Sequence, residues 1–507
     1  MPVGEWACGG IGHGACLRRS RRCTTAAQQS QRSAHGSAAT GQGYASGVPG
    51  ADPTALLLRS AWAALEGDEA DLDLVEVIGD GSGLLPSAYA ALPALTASVA
   101  ASTLAASVLD GARGHVAPMP VVVDREHVAV AARSEHYARS PAVEKSERIS
   151  PLSLFWLTAD DTWFRVHGEY PWHYARALDV LGCDDRHRSV KQAVAKWPAE
   201  ELEDALAAAG ALGYGVHTEE HWRAHPQGVA VAGLPLLRTT IGDGRTREFV
   251  RGRVASGVRV LDLTRVLAGP IATRTLAAWG AEVLRLDSPR LPELAVHAVD
   301  TMSGKRSAEL DLDDPAGRAL FDELLDSADV LVQGYRPGAL TRFGLDDLAD
   351  RHPHLSVITL SAWGPGGPWS DRRGFDSLVQ CATGIAATEG SEDRPGWLPA
   401  QVLDHATGYV AAASALLALA SSVRDQRPRS VQLSLAQTAR WLIDAGSAQP
   451  AAPRPVDADR YLVTLPGASA PVEVIRPPGR LADRDPFWEF TTDAGSDAPA
   501  FSTGERV

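Results

Sequence analysis

The feature that most constrains the fold is a regular alternation of strand-like and helix-like segments that begins at residue 257. Apolar runs predict strands at residues 258–263, 282–286, 330–333 and 356–360, and helical periodicity predicts helices at residues 271–279 and 315–325. Strands that alternate with helices in this way form βαβ units with a parallel sheet. We therefore expect an α/β fold whose main sheet is doubly wound, mostly parallel and Rossmann-like.

The turn after the first of these strands bears on which cofactor the sheet can hold. It contains a single glycine, Gly269, followed by Pro270 at a position suited to the first residue of a helix. Dinucleotide-binding sheets place a G-x-G-x-x-G sequence here, so that the backbone approaches the pyrophosphate closely. Asp287 ends the second strand, as the ribose-binding acid of a Rossmann fold does. Without those glycines, however, the sequence argues against NAD or FAD.

The charge balance and the cysteines exclude further classes. The chain has 507 residues, with 48 Lys and Arg against 62 Asp and Glu, so its formal net charge is −14. This acidic balance argues against a nucleic-acid-binding protein. The five cysteines show no C-x-x-C spacing, so we expect neither a disulfide framework nor a metal site, and a reducing, cytoplasmic location is favoured. The longest apolar run, residues 410–419, is shorter than the ~20 residues that span a bilayer, which predicts a buried helix and no membrane partner.

Composition divides the chain into four stretches. Residues 1–50 are rich in Arg, Gly and Ser and contain one acid, so we interpret residues 1–52 as a disordered or mis-called N-terminal extension. Residues 53–245 mix Ala-rich helical patterns with short strands. Residues 255–445 hold the α/β alternation, and residues 446–507 lack regular periodicity.

Within residues 53–245 the pattern predicts a strand at 120–124, a hairpin with strands at 155–158 and 163–166, and a helix at 199–212. A connector at residues 238–257 closes this half. The two halves also share a weak echo. The Ala-rich helical segment at 96–113, followed by a VVVD strand, resembles the helical segment at 409–427, followed by the strand VQLSL.

Two loops place cations beside glycines at the ends of predicted strands. They are Gly304-Lys-Arg and Gly334-Tyr-Arg-Pro-Gly, and Arg342 follows shortly after the second loop. Open α/β sheets bind ligands beyond the carboxyl ends of their strands, where Lys and Arg suit phosphate groups. Solvated loop charges are the alternative interpretation.

The most informative carboxylate is Asp404, at the start of a strongly apolar helix. It is suited to be a simple N-cap, which satisfies a free backbone N–H of the first turn. It is equally a desolvated carboxylate close to the positive end of the helix dipole, an environment that suits a nucleophile. His405 beside it is interpreted as structural or solvent-facing rather than as a base.

Several of these segments together are similar to the class III CoA-transferases, the group of formyl-CoA transferase, carnitine CoA-transferase and the α-methylacyl-CoA racemases. Order and spacing agree over about 180 residues. The matching pieces are GVRVLDLTRVLAGP (257–270), GAEVLRLDSP (280–289), GKRSAELDL (304–312), ADVLVQGYRPGAL (328–340), FGL (343–345), GPGGP (364–368), GFDSLVQCATG (374–384) and DHATG (404–408).

The resemblance implies a CoA-transferase with a Rossmann-like sheet domain, a smaller α/β domain and Asp404 as the catalytic nucleophile. It implies an aspartyl anhydride and an aspartyl-CoA thioester as intermediates, with coenzyme A and carboxylic acids as substrates and no permanently bound cofactor or metal. CoA contacts in relatives map onto Leu267, Ala268, Thr301, Met302, Ser303, Gly304, Gly334, Tyr335, Arg336 and Arg342.

Some positions depart from the family pattern. The racemase branch has a histidine where this chain has Phe375, which favours transferase over racemase. The oxalate-handling branch has other residues at the positions of Leu267, Ser288 and Ala362, so the resemblance does not support an oxalate substrate. An acyl-CoA racemase or isomerase on the same scaffold, and a non-catalytic CoA-binding partner subunit, remain alternative functions.

The order of the domains also departs from the family. The smaller domain normally follows the Asp-bearing helix, whereas residues 85–240 of this chain resemble that later portion placed in front. The position corresponding to Asp404 then falls near Ala91 or Leu92, where there is no carboxylate. Residues 53–245 are thus expected to be a degenerate partner half. The resemblance implies either an interlocked homodimer or a single-chain pseudo-dimer.

Overall fold

The computed structural model describes residues 52–141, 150–248 and 252–502, apart from residues 337, 340, 344–347 and 392. All of them belong to one compact unit, residues 46–507. The N-terminal extension expected at residues 1–52 lies outside the described residues except for Asp52.

The helices and strands of the described residues are numbered here in chain order. The helices are α1 (Pro53–Ala64), α2 (Ala91–Gly114), α3 (Arg125–Ala131), α4 (Ser134–Tyr137), α5 (Pro171–Leu181), α6 (His187–Val194), α7 (Ala199–Ala208), α8 (Glu219–Ala224), α9 (Pro226–Ala232), α10 (Ala268–Ala278), α11 (Ala295–Thr301), α12 (Pro315–Ser327), α13 (Leu348–Arg351), α14 (Asp376–Thr383), α15 (Ile385–Thr388), α16 (Val402–Asp425) and α17 (Leu435–Asp444). The strands are β1 (Val75–Ile78), β2 (Val121–Asp124), β3 (Phe155–Leu157), β4 (Trp163–Val166), β5 (Gly213–Gly215), β6 (Leu237–Ile241), β7 (Arg259–Leu263), β8 (Glu282–Asp287), β9 (Lys305–Glu309), β10 (Val330–Gln333), β11 (Ser356–Ser361), β12 (Arg429–Ser434), β13 (Leu462–Leu465), β14 (Val472–Ile475) and β15 (Arg480–Leu481).

The main sheet has seven strands in the order β6-β12-β11-β10-β7-β8-β9. Every neighbouring pair is parallel except β12 and β6, which are antiparallel. The expectation of an α/β fold with a large, mostly parallel sheet is confirmed. The inner strands are buried on both faces, as in β10, where Val330, Leu331 and Val332 are all buried. Continuous apolar runs of this kind are typical of parallel strands covered by helices.

The strand order reverses between β7 and β10. From β7 the chain proceeds outward to β8 and β9, then returns to β10 on the other side of β7 and continues to β11 and β12. In open α/β sheets, ligands bind in the crevice at this switch point, beyond the carboxyl ends of the strands. The topology therefore predicts a site formed by the loops that follow β7 and β10.

Two long helices form the centre of the molecule. α16 packs against both α2 and α10. Both α2 and α16 have 24 residues and are apolar enough to cross a membrane by length and composition alone, but their most apolar windows are 94% and 83% buried inside the protein. Their small side chains, mostly Ala and Ser, allow this close packing.

Three smaller sheets accompany the main sheet. β3, β4 and β5 form an antiparallel sheet, and the predicted hairpin of β3 and β4 is confirmed. This sheet shares a separate hydrophobic core with helices α5, α6 and α7. β1 and β2 pair in parallel, with β15 antiparallel to β2, and β13 pairs with β14.

The structure corrects the sequence interpretation at two places where strands were not predicted. The connector at residues 238–257 contains β6, which pairs with β12 at the edge of the main sheet. Its residues are mostly exposed, so the strand lacks the apolar pattern that would reveal it. The stretch 446–507 is not irregular throughout, because it contains β13, β14 and β15, all too short to show a period.

Two further details differ from the sequence predictions. α10 begins at Ala268, so Pro270 is the third helical residue rather than the first. A proline is tolerated there because the N–H groups of the first turn have no partner inside the helix. The predicted loop with Lys305 and Arg306 is instead the start of β9. Lys305 is fully buried and its Nζ lies 3.0 Å from Asp262 Oδ2, so it is a structural ion pair and not a phosphate contact.

The echo between the halves is a repeat of three elements. α2 and α16 have equal length, and the residue that follows each of them is in the left-handed region. In the first half, strand β2 follows and leads directly into the capped helix α3. In the second half, strand β12 follows and leads directly into the capped helix α17. β2 and β12 each lie between one parallel and one antiparallel neighbour. Counting from the first helical residue, the position of Asp404 in α16 corresponds to Pro93 in α2. The family resemblance predicted this position at Ala91 or Leu92, one or two residues earlier.

Candidate active site

A cavity of about 710 Å³ opens at the switch point of the main sheet. Its walls come from the carboxyl ends of the strands: Thr264 to Val266 follow β7, Gly334 to Arg336 follow β10, and Leu435 follows β12. Further lining comes from the loop before α14, from residues at the ends of β8, β9 and β11, and from helices α5, α10, α12 and α16. The cavity thus lies where the topology predicts a ligand site.

Asp404 lies in the first turn of α16 and lines this cavity. It is 5% exposed, so its carboxyl reaches the cavity while remaining almost completely desolvated. The N-cap of α16 is Gln401, whose side chain makes no capping bond. The simple N-cap interpretation of Asp404 is therefore wrong, because Asp404 lies inside the helix and is not its N-terminal capping residue.

Asp376 holds the beginning of α16 in place. Its Oδ2 accepts the backbone N–H of Asp404 at 3.0 Å, and its Oδ1 accepts a hydrogen bond from Gln380 Nε2. Asp376 is the first residue of α14 and is completely buried. The Asp376 carboxylate of α14 thus accepts a backbone N–H in the first turn of α16, which has no side-chain N-cap of its own. Asp376 belongs to the GFDSLVQCATG segment, but sequence reasoning gave it no role.

The two buried carboxyls influence each other electrostatically. Burial raises the pKa of Asp376 to about 6, although the N–H donors that it accepts act in the opposite direction. Burial, followed by the negative charges of Asp376 and Glu135, raises the pKa of Asp404 well above its usual range. Two carboxylates in one low-dielectric site do not ionise independently, so the proton affinity of Asp404 depends on the charge of Asp376.

His405 points away from the cavity toward the N-terminal half. It is fully buried, and its Nε2 lies 3.4 Å from Glu135 Oε2 in α4. Burial would raise the pKa of Glu135, but the hydrogen bond and charge of His405 lower it overall. His405 does not line the cavity, which agrees with the structural role expected from the sequence.

The N-terminal half contributes one wall of the cavity, which sequence reasoning missed. It is lined by Tyr170, which precedes α5, and by Trp172, His173 and Arg176 of α5. The aromatic rings of this segment pack near Phe375: the Tyr170 and Trp172 rings stack at 4.9 Å, and the Phe375 ring lies 6.2 Å from both Tyr170 and His173. The only sequence signal was the unusual density of rings in the segment YPWHY.

His173 is uncharged in this environment. Burial, followed by the positive charges of Arg373, Arg176 and Arg265, lowers its pKa to about 3. Its Nδ1 is buried and has no hydrogen-bond partner among the described residues. A neutral imidazole therefore faces the same cavity as Asp404.

The structure divides the residues expected to contact CoA into two groups. Ala268, Gly334, Tyr335 and Arg336 line the cavity together with Asp404. Leu267 precedes α10 and is fully buried in the main core, while Thr301, Met302 and Ser303 are buried at the end of α11. Gly304 packs against the Trp488 ring, and its N–H donates to Phe490 O at 2.8 Å. These five do not line the cavity. Arg342 lies in a 3₁₀ turn, Thr341–Phe343, and its side chain is outside the described residues.

Comparison with known families agrees with this arrangement. Residues 255–468 match the family model described as CoA-transferase family III. We call this part of the chain, which is similar to CoA-transferase family III, the family III region. The match includes the main sheet from β7 onward, the Asp376 and Asp404 pair, and most of the cavity.

Relatives that are similar to the family III region are named as transferases. An acyl-CoA transferase of Gibberella moniliformis is 30% identical over 298 residues, which cover 53% of this chain and 52% of the relative. A formyl-CoA:oxalate CoA-transferase of Rhodopseudomonas palustris is 33% identical over 182 residues, covering 33% and 43%. The chain thus spans about half the length of the curated relatives that it matches. Among solved structures, Rv3272 of Mycobacterium tuberculosis is 32% identical, with coverage of 37% and 57% and a TM-score of 0.35.

Proposed function

We propose that this protein transfers CoA from an acyl-CoA donor to a carboxylic acid acceptor, with Asp404 as the nucleophile. One observation carries the proposal: among the described acids that line the cavity, Asp404 alone has no cationic partner. Asp287 pairs with Arg285, and both Asp311 and Asp313 pair with Arg290. A desolvated, unpaired carboxyl at the ligand-binding edge of the sheet is suited to chemistry rather than to stability.

The proposed reaction has four exchanges at carbonyl carbons. A carboxylate oxygen of Asp404 attacks the thioester carbonyl, the C–S bond breaks, and CoA thiolate leaves a mixed aspartyl anhydride. The thiolate then attacks the aspartyl carbonyl and releases the donor acid, which leaves an aspartyl-CoA thioester. The acceptor carboxylate attacks that thioester to give a second anhydride and free thiolate. Finally the thiolate attacks the acceptor acyl carbon, which forms the new acyl-CoA and restores Asp404.

The protein orients the Asp404 carboxyl and determines whether that carboxyl is protonated. The cap from Asp376 fixes the first turn of α16, so that the Asp404 carboxyl keeps its direction when its oxygen attacks. Only the ionised carboxyl is nucleophilic, whereas burial and the charge of Asp376 favour the protonated form. The nearby N-terminal dipole of α16 stabilises the ionised form. We therefore expect CoA transfer to increase with pH through the pKa of Asp404.

Trapping of the acyl-enzyme tests the proposal. The protein is incubated with a panel of acyl-CoAs and hydroxylamine, and its intact mass and peptides are measured. A hydroxamate at Asp404 is expected, because hydroxylamine attacks an aspartyl anhydride or thioester. The adduct should be absent in Asp404→Asn and present in the control Asp179→Asn, which changes an exposed carboxylate on α5. Absence of any adduct at Asp404 with a CoA ester that is turned over would overturn the mechanism.

An acyl-CoA racemase or isomerase is the second candidate, and His173 is the observation in its favour. Proton transfer at the carbon next to a thioester needs two groups that exchange a proton, and the cavity contains neutral His173 as well as Asp404. In D₂O this activity would place deuterium at that carbon without exchange of CoA between acids. Exchange of labelled CoA without deuterium incorporation would favour the transferase.

We also propose that the two halves of one chain act as a pseudo-dimer and together form a complete active site. We propose the cytoplasm as its location. The support is that residues 170–176 of the N-terminal half and Asp404 of the family III region line the same cavity. The molecular mass in solution, measured by light scattering at activity-assay concentrations, should then equal that of one chain. A two-chain mass would favour an interlocked homodimer.

A further inference from the structure

Glu135 is a buried acid of the N-terminal half that the proposed reaction does not use. It lies in α4, and its side chain is 10% exposed. Its Oε2 lies 3.4 Å from Nε2 of His405, the residue that follows the nucleophile in α16. His405 is fully buried, and its Nδ1 has no hydrogen-bond partner among the described residues. Glu135 thus holds the His405 side chain from the other half of the chain.

The position of α4 is fixed by a second set of buried polar contacts. Ser134, the residue before Glu135, donates to Asp300 Oδ2 at 2.7 Å and accepts from Arg274 Nη2 at 3.0 Å. Arg274 Nη1 also lies 2.6 Å from Asp300 Oδ2, and both of these side chains are buried. Because Arg274 belongs to α10 and Asp300 to α11, α4 is connected to two helices of the family III region. Glu135 therefore has little freedom to move away from His405.

A buried acid and its imidazole partner contribute little to stability. Desolvation offsets most of the attraction between such groups, and replacing a buried ion pair by apolar side chains is often neutral or stabilising. The Oε1 atom of Glu135 has no hydrogen-bond partner in the described part of the chain, and the exposed side chain of His136 lies 3.6 Å from it. A desolvated carboxylate that is incompletely hydrogen-bonded beside a reactive site favours a role in that site.

The charge of Glu135 also acts on Asp404. Burial raises the pKa of Glu135, but the hydrogen bond and charge of His405 lower it overall, so Glu135 is ionised. Burial, followed by the charges of Asp376 and Glu135, raises the pKa of Asp404. On its other side, Asp404 faces the imidazole and guanidinium groups of the cavity. The other titratable groups close to the first turn of α16 come from α14, α4, α10, α11 and α16 itself: Asp376, His136, Arg274, Asp300 and Tyr409.

We propose that Glu135 is a positioning residue for the reaction of Asp404: it holds His405, and with it the first turn of α16, and it places a negative charge near the nucleophile. The inference rests on the proposed function, because it concerns the reactivity of Asp404 in CoA transfer. It makes the activity of the family III region depend on a side chain of the N-terminal half that does not line the cavity.

Two variants of the full chain separate the charge of Glu135 from its contact with His405. Glu135→Gln removes the negative charge but keeps an oxygen that accepts a hydrogen bond from His405. Glu135→Asp keeps the charge but is shorter by one methylene group, so its carboxyl no longer reaches His405. Glu201→Gln is the matched control, because Glu201 is an exposed acid of α7 that does not line the cavity. Initial rates of labelled CoA exchange are measured across pH for each variant.

Glu135→Gln should shift the acidic limb of the kcat/KM profile to lower pH by about half a pH unit or more, since Asp404 ionises more readily without a nearby negative charge. Glu135→Asp should leave the limb in place and lower kcat by about threefold or more at unchanged KM, since the nucleophile is less well oriented in an intact cavity. The control should match the parent protein in both respects. A limb and a kcat that stay at the parent values in both Glu135 variants would overturn the proposal, as would a change in KM alone.

A measurement without turnover distinguishes this inference from the proposed function. Infrared difference spectroscopy follows the protonation of the Asp404 carboxyl, which is identified as the absorption that Asp404→Asn removes. Glu135→Gln should move this titration to lower pH whether or not an acyl-CoA reacts. An unchanged titration would overturn the inference even in an active enzyme. If the titration shifts but no acyl-CoA reacts with Asp404, the action of Glu135 on Asp404 stands and the proposed transferase fails.

Discussion

Two regions of the molecule have the same local architecture and different contents. α2–β2–α3 and α16–β12–α17 repeat a helix of 24 residues, a strand and a capped helix, and the two long helices pack together. Only α16 has a carboxyl in its first turn and a cavity beside it. In α2 the corresponding residue is Pro93, which lacks an acid and is favourable in a first turn. The backbone scaffold is thus duplicated, while the chemistry depends on one side chain and its neighbours.

The largest effect is expected from moving the carboxyl between the two regions. Asp404→Asn should reduce CoA transfer by about a thousandfold or more, since the amide cannot form the acyl intermediate. Adding Pro93→Asp to that variant should restore nothing, because no carboxylate among the described residues caps the first turn of α2 as Asp376 caps that of α16. Initial rates of labelled CoA exchange measure both variants. Recovery of exchange in the double variant would show that the two helices are equivalent after all.

A second difference is the space available along the two helices. A Cβ on Gly408 of α16 would lie 2.6 Å from Ala268 O and 2.9 Å from Ile271 Cβ, so α10 approaches too closely for a side chain. The corresponding residue of α2 is Ala97, which is fully buried. Gly408→Ala should lower the free energy of unfolding by about 1–3 kcal/mol through overpacking. Ala97→Gly should lower it by about 1 kcal/mol through helix propensity.

Urea unfolding of both variants measures this contrast. Because Ala268 lines the cavity, Gly408→Ala should also raise the KM for acyl-CoA, whereas Ala97→Gly should leave it unchanged. If Gly408→Ala is as stable as the parent protein, then α10 moves away freely and the close approach is not a constraint on the site.

Parts of this contrast can be predicted from the sequence, for identifiable reasons. The strands β7, β8, β10 and β11 are rich in Val, Leu and Ile, so their pattern is visible without a structure. β6 is mostly exposed and short, and nothing local distinguishes it from a connector. Among the cavity residues, Asp404 and Arg336 belong to sequence segments with a family resemblance. His173 and Arg176 approach them only through tertiary packing, which no local pattern encodes.

The pH dependence of the rate distinguishes the role of Asp376 from that of Asp404. Asp376→Asn removes a negative charge that raises the pKa of Asp404 and keeps an oxygen that accepts its N–H. The acidic limb of the rate profile should therefore shift to lower pH. The maximal rate should fall modestly, because the amide NH2 group replaces one of the two oxygens that accept from the Asp404 N–H and Gln380 Nε2, and one of these hydrogen bonds is lost. Profiles of kcat/KM against pH measure the shift. A limb that stays in place or moves to higher pH would show that Asp376 does not act on the nucleophile electrostatically.

The same pair predicts how stability depends on pH. Because burial raises the pKa of Asp376 to about 6 and that of Asp404 well above its usual range, the folded state binds these protons more tightly than the unfolded state. Their contribution to stability is complete below the pKa of an ordinary aspartate and is lost as pH increases through about 6 and above. Denaturant unfolding at pH 5 and pH 8 should show a smaller difference for Asp404→Asn than for the parent. An equal difference would mean that the Asp404 pKa is not perturbed by folding.

The smallest effect is one in which the two regions should behave alike. The residue that follows α2, His115, has φ 55° and the residue that follows α16, Gln426, has φ 57°. A side chain in this left-handed region is strained. Glycine carries no such strain, although it loses more entropy on folding, so His115→Gly and Gln426→Gly should each stabilise the protein by at most about 1 kcal/mol. Thermal unfolding of the two variants measures this. Equal backbone strain at both positions is expected only if the two helices end in the same conformation. If one glycine variant is more stable than the parent protein and the other less stable, the backbone conformation at the two helix ends is not duplicated.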